Sequence, residues 1–203
     1  MSKNYNYEVT LREAMRRFCE REITAIPSLT GATLGEDGQL QLKFLNRTYS
    51  IDPSGQVVLP GDQEEVPLTI KILLLHYLAQ GSETIVQDKF VSFKELPGGT
   101  IYIQPFTNRA IRPLVSLFGD NPQALSTAGS KLGGVTAKLG DVGITLYPFP
   151  RVPVTFVLWG GDDEFPPSGN ILFDSSAPQF LPTEDYAVLA SLMVAELKRA
   201  KSE

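Results

Sequence analysis

Apolar residues recur at Leu11, Ala14, Met15, Phe18 and Cys19, the three- and four-residue steps that draw one stripe along a helix over residues 8–22. Cys19 closes the stripe and is expected on the buried side, as an inert small hydrophobe. Arg12, Arg16, Arg17 and Arg21 alternate with Glu8, Glu13, Glu20 and Glu22, which describes a solvated, ion-paired face rather than a basic stripe. The period then drops to two. Leu40, Leu42 and Phe44 or Leu45 alternate with Gln39, Gln41 and Lys43, as in a half-buried antiparallel strand. Runs at residues 29–34, 48–51 and 57–59 complete a meander, with turn residues at 35–38, 46–47 and 52–55 between them.

A second helix is expected over residues 67–80, with Pro67 in its first turn. Leu68, Ile70, Ile72, Leu73, Leu74, Leu75 and Leu78 almost encircle it, so it should be a central, well-covered helix. Thr69, His76 and Gln80 share its one polar seam, where His76 either satisfies a backbone carbonyl or lines a pocket as acid or base.

Further along, glycine and proline break the pattern repeatedly. Strands are expected at residues 90–93 and 100–104, joined by a turn at 96–99. Two short helices follow, one at residues 107–118 that starts properly only by Pro113. The other, at 122–132, is capped by Asn121 and closed by Gly133 and Gly134. Strands return at residues 144–147, 152–159 and 170–173. A last helix over 183–201 has Thr183 as a candidate cap, Glu184 and Asp185 in its first turn, and Lys198, Arg199 and Lys201 at its end. Its buried face should carry Tyr186, Leu189, Ala190, Met193 and Leu197.

Together these elements describe an α+β fold, antiparallel sheets with packed helices, as a single domain over residues 1–203. The order helix, strands, helix occurs in residues 8–80 and again in 121–200, an α-βββ-α pseudo-repeat of two halves without residue-level self-similarity.

Composition narrows the chemistry. Eighteen basic against 23 acidic residues leave a net charge of −5, which does not attract a phosphate backbone, so no nucleic-acid partner is expected. One cysteine and one histidine rule out an internal disulfide, an iron–sulfur cluster or the usual cysteine/histidine zinc site within one chain. Oxygen ligation of Mg²⁺ or Ca²⁺ stays open. No apolar stretch follows Lys3 as in a signal peptide, and the longest greasy run, residues 70–79, is too short to span a bilayer. The expectation is a cytoplasmic protein without a membrane partner.

Neither G-x-G-x-x-G, nor a phosphate loop, nor a G-x-S-x-G elbow occurs. Two stretches stand out instead. In residues 158–174, Asp162, Asp163 and Glu164 follow a Gly pair and precede a Pro pair, with Trp159 and Phe165 flanking. Such a loop is shaped rather than floppy. It could hold a metal or an acid/base carboxylate with Asp174 across the hairpin, or serve only as a solvated connection. In residues 106–113, Arg109 and Arg112 near a helix start could hold a phosphate or carboxylate, or pair with an acid such as Glu95 or Asp120.

Several of these pieces carry a resemblance. They are Leu73-Leu-Leu-His-Tyr-Leu78, Val91-Ser-Phe-Lys-Glu-Leu-Pro-Gly-Gly99, Phe106 with Arg109, Pro113-Leu114 and Phe118-Gly119, Trp159-x-Gly-Asp-x-Glu-Phe-Pro166, Ile171-Leu-Phe-Asp174 and Leu181-Pro-Thr-Glu-Asp185. Together they resemble domain-of-unknown-function family 3786, over about residues 30–195. The resemblance implies a protein of anaerobic bacteria or archaea, in the company of anaerobic redox or corrinoid metabolism. The cysteine-rich iron–sulfur module of some relatives does not carry over to this chain. His76, Glu95, Arg109, Asp162, Glu164 and Asp174 are the polar members of the matching motifs.

The leading expectation is an accessory protein that binds a small anionic ligand or a protein partner. Its proposed cleft is lined by the 159–165 loop, the 97–99 turn and Arg109. One alternative is an Mg²⁺- or Mn²⁺-dependent enzyme that acts on an anionic substrate through Asp162, Glu164 and Asp174. Another is a purely structural subunit with an apolar patch and a stable oligomer.

Overall fold

The structure is a computed structural model; it describes the backbone of residues 2–202 and side chains from Tyr7 to Ser202. The chain divides into two compact units. The first comprises the chain up to Ile85 with Phe149–Arg151 and Gln179–Pro182; the second comprises Val86–Pro148, Val152–Pro178 and the chain from Thr183.

The first unit opens with helix α1 (Ser2–Cys19), followed by the short helix α2 (Ile26–Thr30). Four strands follow, β1 (Thr33–Leu34), β2 (Leu40–Phe44), β3 (Arg47–Ile51) and β4 (Val57–Val58), and then helix α3 (Leu68–Gln80). The strands form an antiparallel sheet in sequence order, with Leu42 opposite Tyr49 and Ile51 opposite Val57. Leu40, Leu42 and Phe44 are buried and Lys43 is exposed, the alternation the sequence carries. Only the start of the meander differs. Of the stretch expected as its first strand, Thr33–Leu34 is strand while Leu29 and Thr30 belong to α2, because Pro27 sits in a first helical turn and Gly31 closes that turn at φ +75°.

The core of this unit centres on Tyr77 of α3. Its ring stacks on Phe149 at 4.2 Å, and its hydroxyl donates to the Thr30 carbonyl at 2.6 Å. Burial drives the phenol's pKa upward, so it stays a neutral donor at any ordinary pH.

On α1 the Arg and Glu side chains pair as the spacing implies, Arg17 with Glu13 at 2.8 Å and Arg16 with both Glu13 and Glu20. Cys19 departs from expectation. It lies at the helix end, exposed, with its thiol 3.6 Å from the Ser54 carbonyl, because Phe18 and Ala14 alone reach the core at that level. The native chain is therefore expected to titrate its single thiol with a disulfide reagent without denaturant; a thiol silent until unfolding would contradict this placement.

The second unit is built on a five-stranded sheet in the order β5-β9-β8-β7-β6. These strands are β5 (Phe90–Ser92), β6 (Val135–Ala137), β7 (Val142–Phe149), β8 (Val152–Trp159) and β9 (Ser168–Asp174). The β5/β9, β6/β7 and β8/β9 pairs are antiparallel, with Phe156 opposite Ile171. Between β5 and β6 run α4 (Gly99–Phe106), α5 (Arg112–Phe118) and α6 (Pro122–Lys131). The chain ends in α7 (Thr183–Ser202), on which Tyr186, Leu189, Ala190, Met193 and Leu197 are all buried.

The strand expected at residues 100–104 is helix. Ile101, Tyr102 and Ile103 suit a strand by composition, but Gly98 turns the chain at φ +71°, and Gly99 comes so close to Phe93 that a Cβ would meet its carbonyl oxygen at 1.9 Å. The helix then carries Phe106 onto Phe93, rings stacked at 4.0 Å and 9°. Phe173 lies 6.0 Å from Phe106, and Tyr186 meets Phe173 edge-on at 5.0 Å.

The helix expected over residues 107–118 is present along that whole stretch and does not wait for Pro113 to start. Residues Thr107–Ile111 form a wide π-helical turn joining α4 to α5, with the Arg112 N–H bonding the Thr107 carbonyl five residues back. Prolines explain the widening. Pro105 and Pro113 donate no N–H, and the Pro113 ring needs room beside the carbonyl four residues earlier, that of Arg109. Phe106, Ala110, Leu114 and Phe118 keep a buried stripe at four-residue steps through the whole stretch.

Two expected caps are absent. Asn121 precedes α6 without a side-chain cap bond, and Thr183 Oγ1 donates to the Pro97 carbonyl at 2.7 Å instead.

A candidate anion-binding groove

In the second unit, the π-helical turn and α5 face α7 across an open groove of 530 Å³, within the range of ligand sites. One wall presents Asn108, Arg109, Arg112 and Ser116; the other presents Ser191, Ala195 and Lys198. Pro113, Leu117 and Val194 form an apolar floor. The register is simple. Residues 109, 112, 113 and 116 share one helical face, as do residues 191, 194, 195 and 198 of α7. The π turn carries Arg109 into this array, which suits the association of such turns with function.

The charges are uncompensated. Among the described residues, Arg109, Arg112 and Lys198 form no ion pair; the nearby acid Glu196 is taken by Arg199 at 3.0 Å, and Glu184 accepts the Tyr102 hydroxyl at 2.6 Å. The structural pairing of Arg109 with Glu95 or Asp120 does not form. Glu95 instead caps the turn after β5, accepting the Ser92 N–H at 2.6 Å, and that bond holds its carboxyl below the usual range. No carboxylate, imidazole or thiol lines the groove. Its polar groups are donors and hydroxyls, suited to holding an anion and unable to take a proton in general-base fashion.

The remaining sequence-derived candidates lie elsewhere. Asp174, at the end of β9, is 5% exposed and accepts the N–H groups of Gln87, Lys89 and Ser176 at 3.0, 3.1 and 2.9 Å, together with the Ser176 hydroxyl. Burial pushes its pKa up, but the bonds from Gln87, Ser176 and Lys89 outweigh burial, and the carboxyl sits below its ordinary range. It is a structural anchor with its acceptor capacity spent.

Asp162 accepts the N–H groups of Glu164 and Phe165 at 2.9 and 2.7 Å, and its own N–H donates to the Phe165 carbonyl. The Phe165 bond leads in lowering its pKa. The loop is thus a self-contained turn that leaves Asp163, Glu164, Phe165 and Trp159 exposed.

None of Trp159, Asp162, Glu164, Phe165, Glu95 and Asp174 lines the groove around Arg109; its second wall carries Lys198. Among the described residues, no group of three or more His, Cys, Asp or Glu side chains is placed to hold a metal ion, and Asp162, Glu164 and Asp174 do not assemble one. His76 lies in the other unit, half-buried on α3 and engaged with a partner.

Sequence reasoning passed over Lys198 as mere complement to a helix dipole. The available signal was the small and basic set Ser191, Ala195 and Lys198 on the side of α7 away from its apolar stripe.

A family model described as a domain of unknown function, DUF3786, matches residues 22–196. The chain belongs to this family. No curated protein and no solved structure matches it. The match includes both walls of the groove apart from Lys198, and the acidic loop. Among the described residues no helix is long and apolar enough to cross a membrane.

Proposed function

We propose that this protein is a binding module whose site is the groove between the π-helical turn, α5 and α7, and that it takes an anionic group carried on an apolar body. The supporting observation is the set of three cations, Arg109, Arg112 and Lys198, unpaired among the described residues and ranged over an apolar floor in a chain of net charge −5. Exposed cations with no carboxylate of their own leave their donors free for an incoming anion, and guanidinium forks meet carboxylate or phosphate with two bonds each. The floor selects for a ligand with apolar surface beside its charge. As an accessory factor in anaerobic redox or corrinoid metabolism, the setting the family resemblance implies, the module would hold a partner rather than transform it.

An amphipathic anion tests this directly. Anilinonaphthalene sulfonate is expected to bind the native chain with a saturable rise in fluorescence, weakened by salt. Removing both guanidinium charges with Arg109→Gln and Arg112→Gln should lower the affinity by about tenfold or more, given about 1.5–3 kcal/mol for a charged hydrogen bond. Binding that ignores both substitutions would refute the assignment.

A further inference from the structure

The groove has a counterpart on the same unit. Arg109, Arg112 and Lys198 supply three positive charges over an apolar floor. Asp162, Asp163 and Glu164 supply three negative ones beside Trp159 and Phe165, which are 42% and 67% exposed. Asp162 is taken by its own loop's backbone, while Asp163, Glu164 and the three cations are unanswered among the described residues. No loop residue lines the groove, and the carboxylates of Asp163 and Glu164 have no partner among the described residues. The loop is also pre-shaped. The Asp162 carboxylate ties the backbone of Glu164 and Phe165, Gly160 N–H is held by Asp141 at 2.8 Å, and Gly161 packs so closely on Pro167 that a Cβ would meet its ring at 2.8 Å. Little conformational freedom remains to be lost on docking.

We propose that the occupant of the groove is the 159–165 loop of a second copy of this chain. The inference rests on the binding role assigned to the groove above and names its partner. Asp163 and Glu164 meet the guanidinium and ammonium groups, and Phe165 covers the floor of Pro113, Leu117 and Val194. The two surfaces differ, so the contact is heterologous: each copy offers a loop to one neighbour and a groove to another, and association runs head to tail into a ring or an open chain. Opposed exposed charges also make it sensitive to salt.

Sedimentation velocity at rising protein concentration and low salt, read beside the emission of Trp159, the chain's one tryptophan, is the test. The native chain is expected to shift to larger species with a blue shift of that emission, both reversed by salt. A loop-reversed variant (Asp163→Lys, Glu164→Lys) and a groove-reversed variant (Arg109→Glu, Arg112→Glu) should each stay monomeric alone and associate when mixed, because each then offers the other a complementary pair. A labelled peptide of residues 158–167 should bind the native chain and lose at least about tenfold in affinity on the groove-reversed one. The peptide arm on the native chain needs no variant to fold. A native chain that remains monomeric and ignores the peptide overturns the proposal, as does association that survives both reversals. If anilinonaphthalene sulfonate still binds through Arg109 and Arg112 in those cases, the binding role stands and only the second copy fails. If it does not, both fail.

Discussion

Asp174→Ala is expected to destabilise the second unit by about 2–4 kcal/mol, the loss of a buried acceptor that serves several donors at once. The carboxylate terminates β9 and draws in the backbone before β5 through Gln87 and Lys89, while Ser176 closes the turn behind it. Alanine leaves three backbone N–H groups unanswered, and water reaches only some of them at a position 5% exposed. The effect carries a pH signature. The folded-state pKa is depressed below that of the unfolded chain, so the contribution is complete above the unfolded value of about 4 and fades as pH falls through the folded value. Urea midpoints followed by Trp159 emission should differ widely between the native chain and the variant at neutral pH and converge in acid. Coincident midpoints at neutral pH would refute the anchoring role.

Phe106→Ala should cost more, about 3–5 kcal/mol, because a fully buried ring is removed from a cluster that includes Phe93 and Phe173. The consequence extends to function. Phe106 ends α4 directly before the π turn that carries Arg109, so losing its seat on Phe93 frees the wall of the groove. Affinity for anilinonaphthalene sulfonate in the groove should fall together with stability. Ile101→Ala in the same helix, at a side chain 75% exposed, is the control and should stay within about 0.5 kcal/mol of the native chain. A Phe106 variant as stable as the Ile101 variant would mean that the stacked pair does not hold the helix.

The elements most legible in the chain were those with a long, unbroken period. The α1 stripe, the β2 alternation, the all-round apolar α3 and the buried face of α7 all follow from spacing, since one solvent-averse face is enough to select the element. Residues 100–104 were misleading because β-branched and aromatic residues suit a strand, while the close approach at Gly99 and the stacking of Phe106 on Phe93 are tertiary facts that override propensity. Cys19 lies on the apolar stripe in projection and outside the core in space, since a helix end can run past what it packs against. At the site, the sequence marked Arg109, Arg112 and the acidic loop as unusual. It could not say that Lys198, from a helix 86 residues beyond Arg112, completes the groove, or that the loop lies outside it.

From the order of residues alone came an α+β fold with antiparallel sheets, its helical and strand faces, too few cysteines and histidines for an iron–sulfur cluster or the usual zinc site within one chain, and the resemblance to one family. Those properties depend on spacing and composition, which are local or summed along the chain. Folding in three dimensions alone decided which strands neighbour one another, that Asp174 spends its oxygens on the distant N–H groups of Gln87 and Lys89, and that three cations from two helices share one groove. The strand order, the bonds of Asp174 to Gln87 and Lys89 and the shared groove rest on groups far apart in the chain meeting within hydrogen-bond or Coulomb range, and no local period encodes that meeting; the Asp162 turn, closed within three residues, is local.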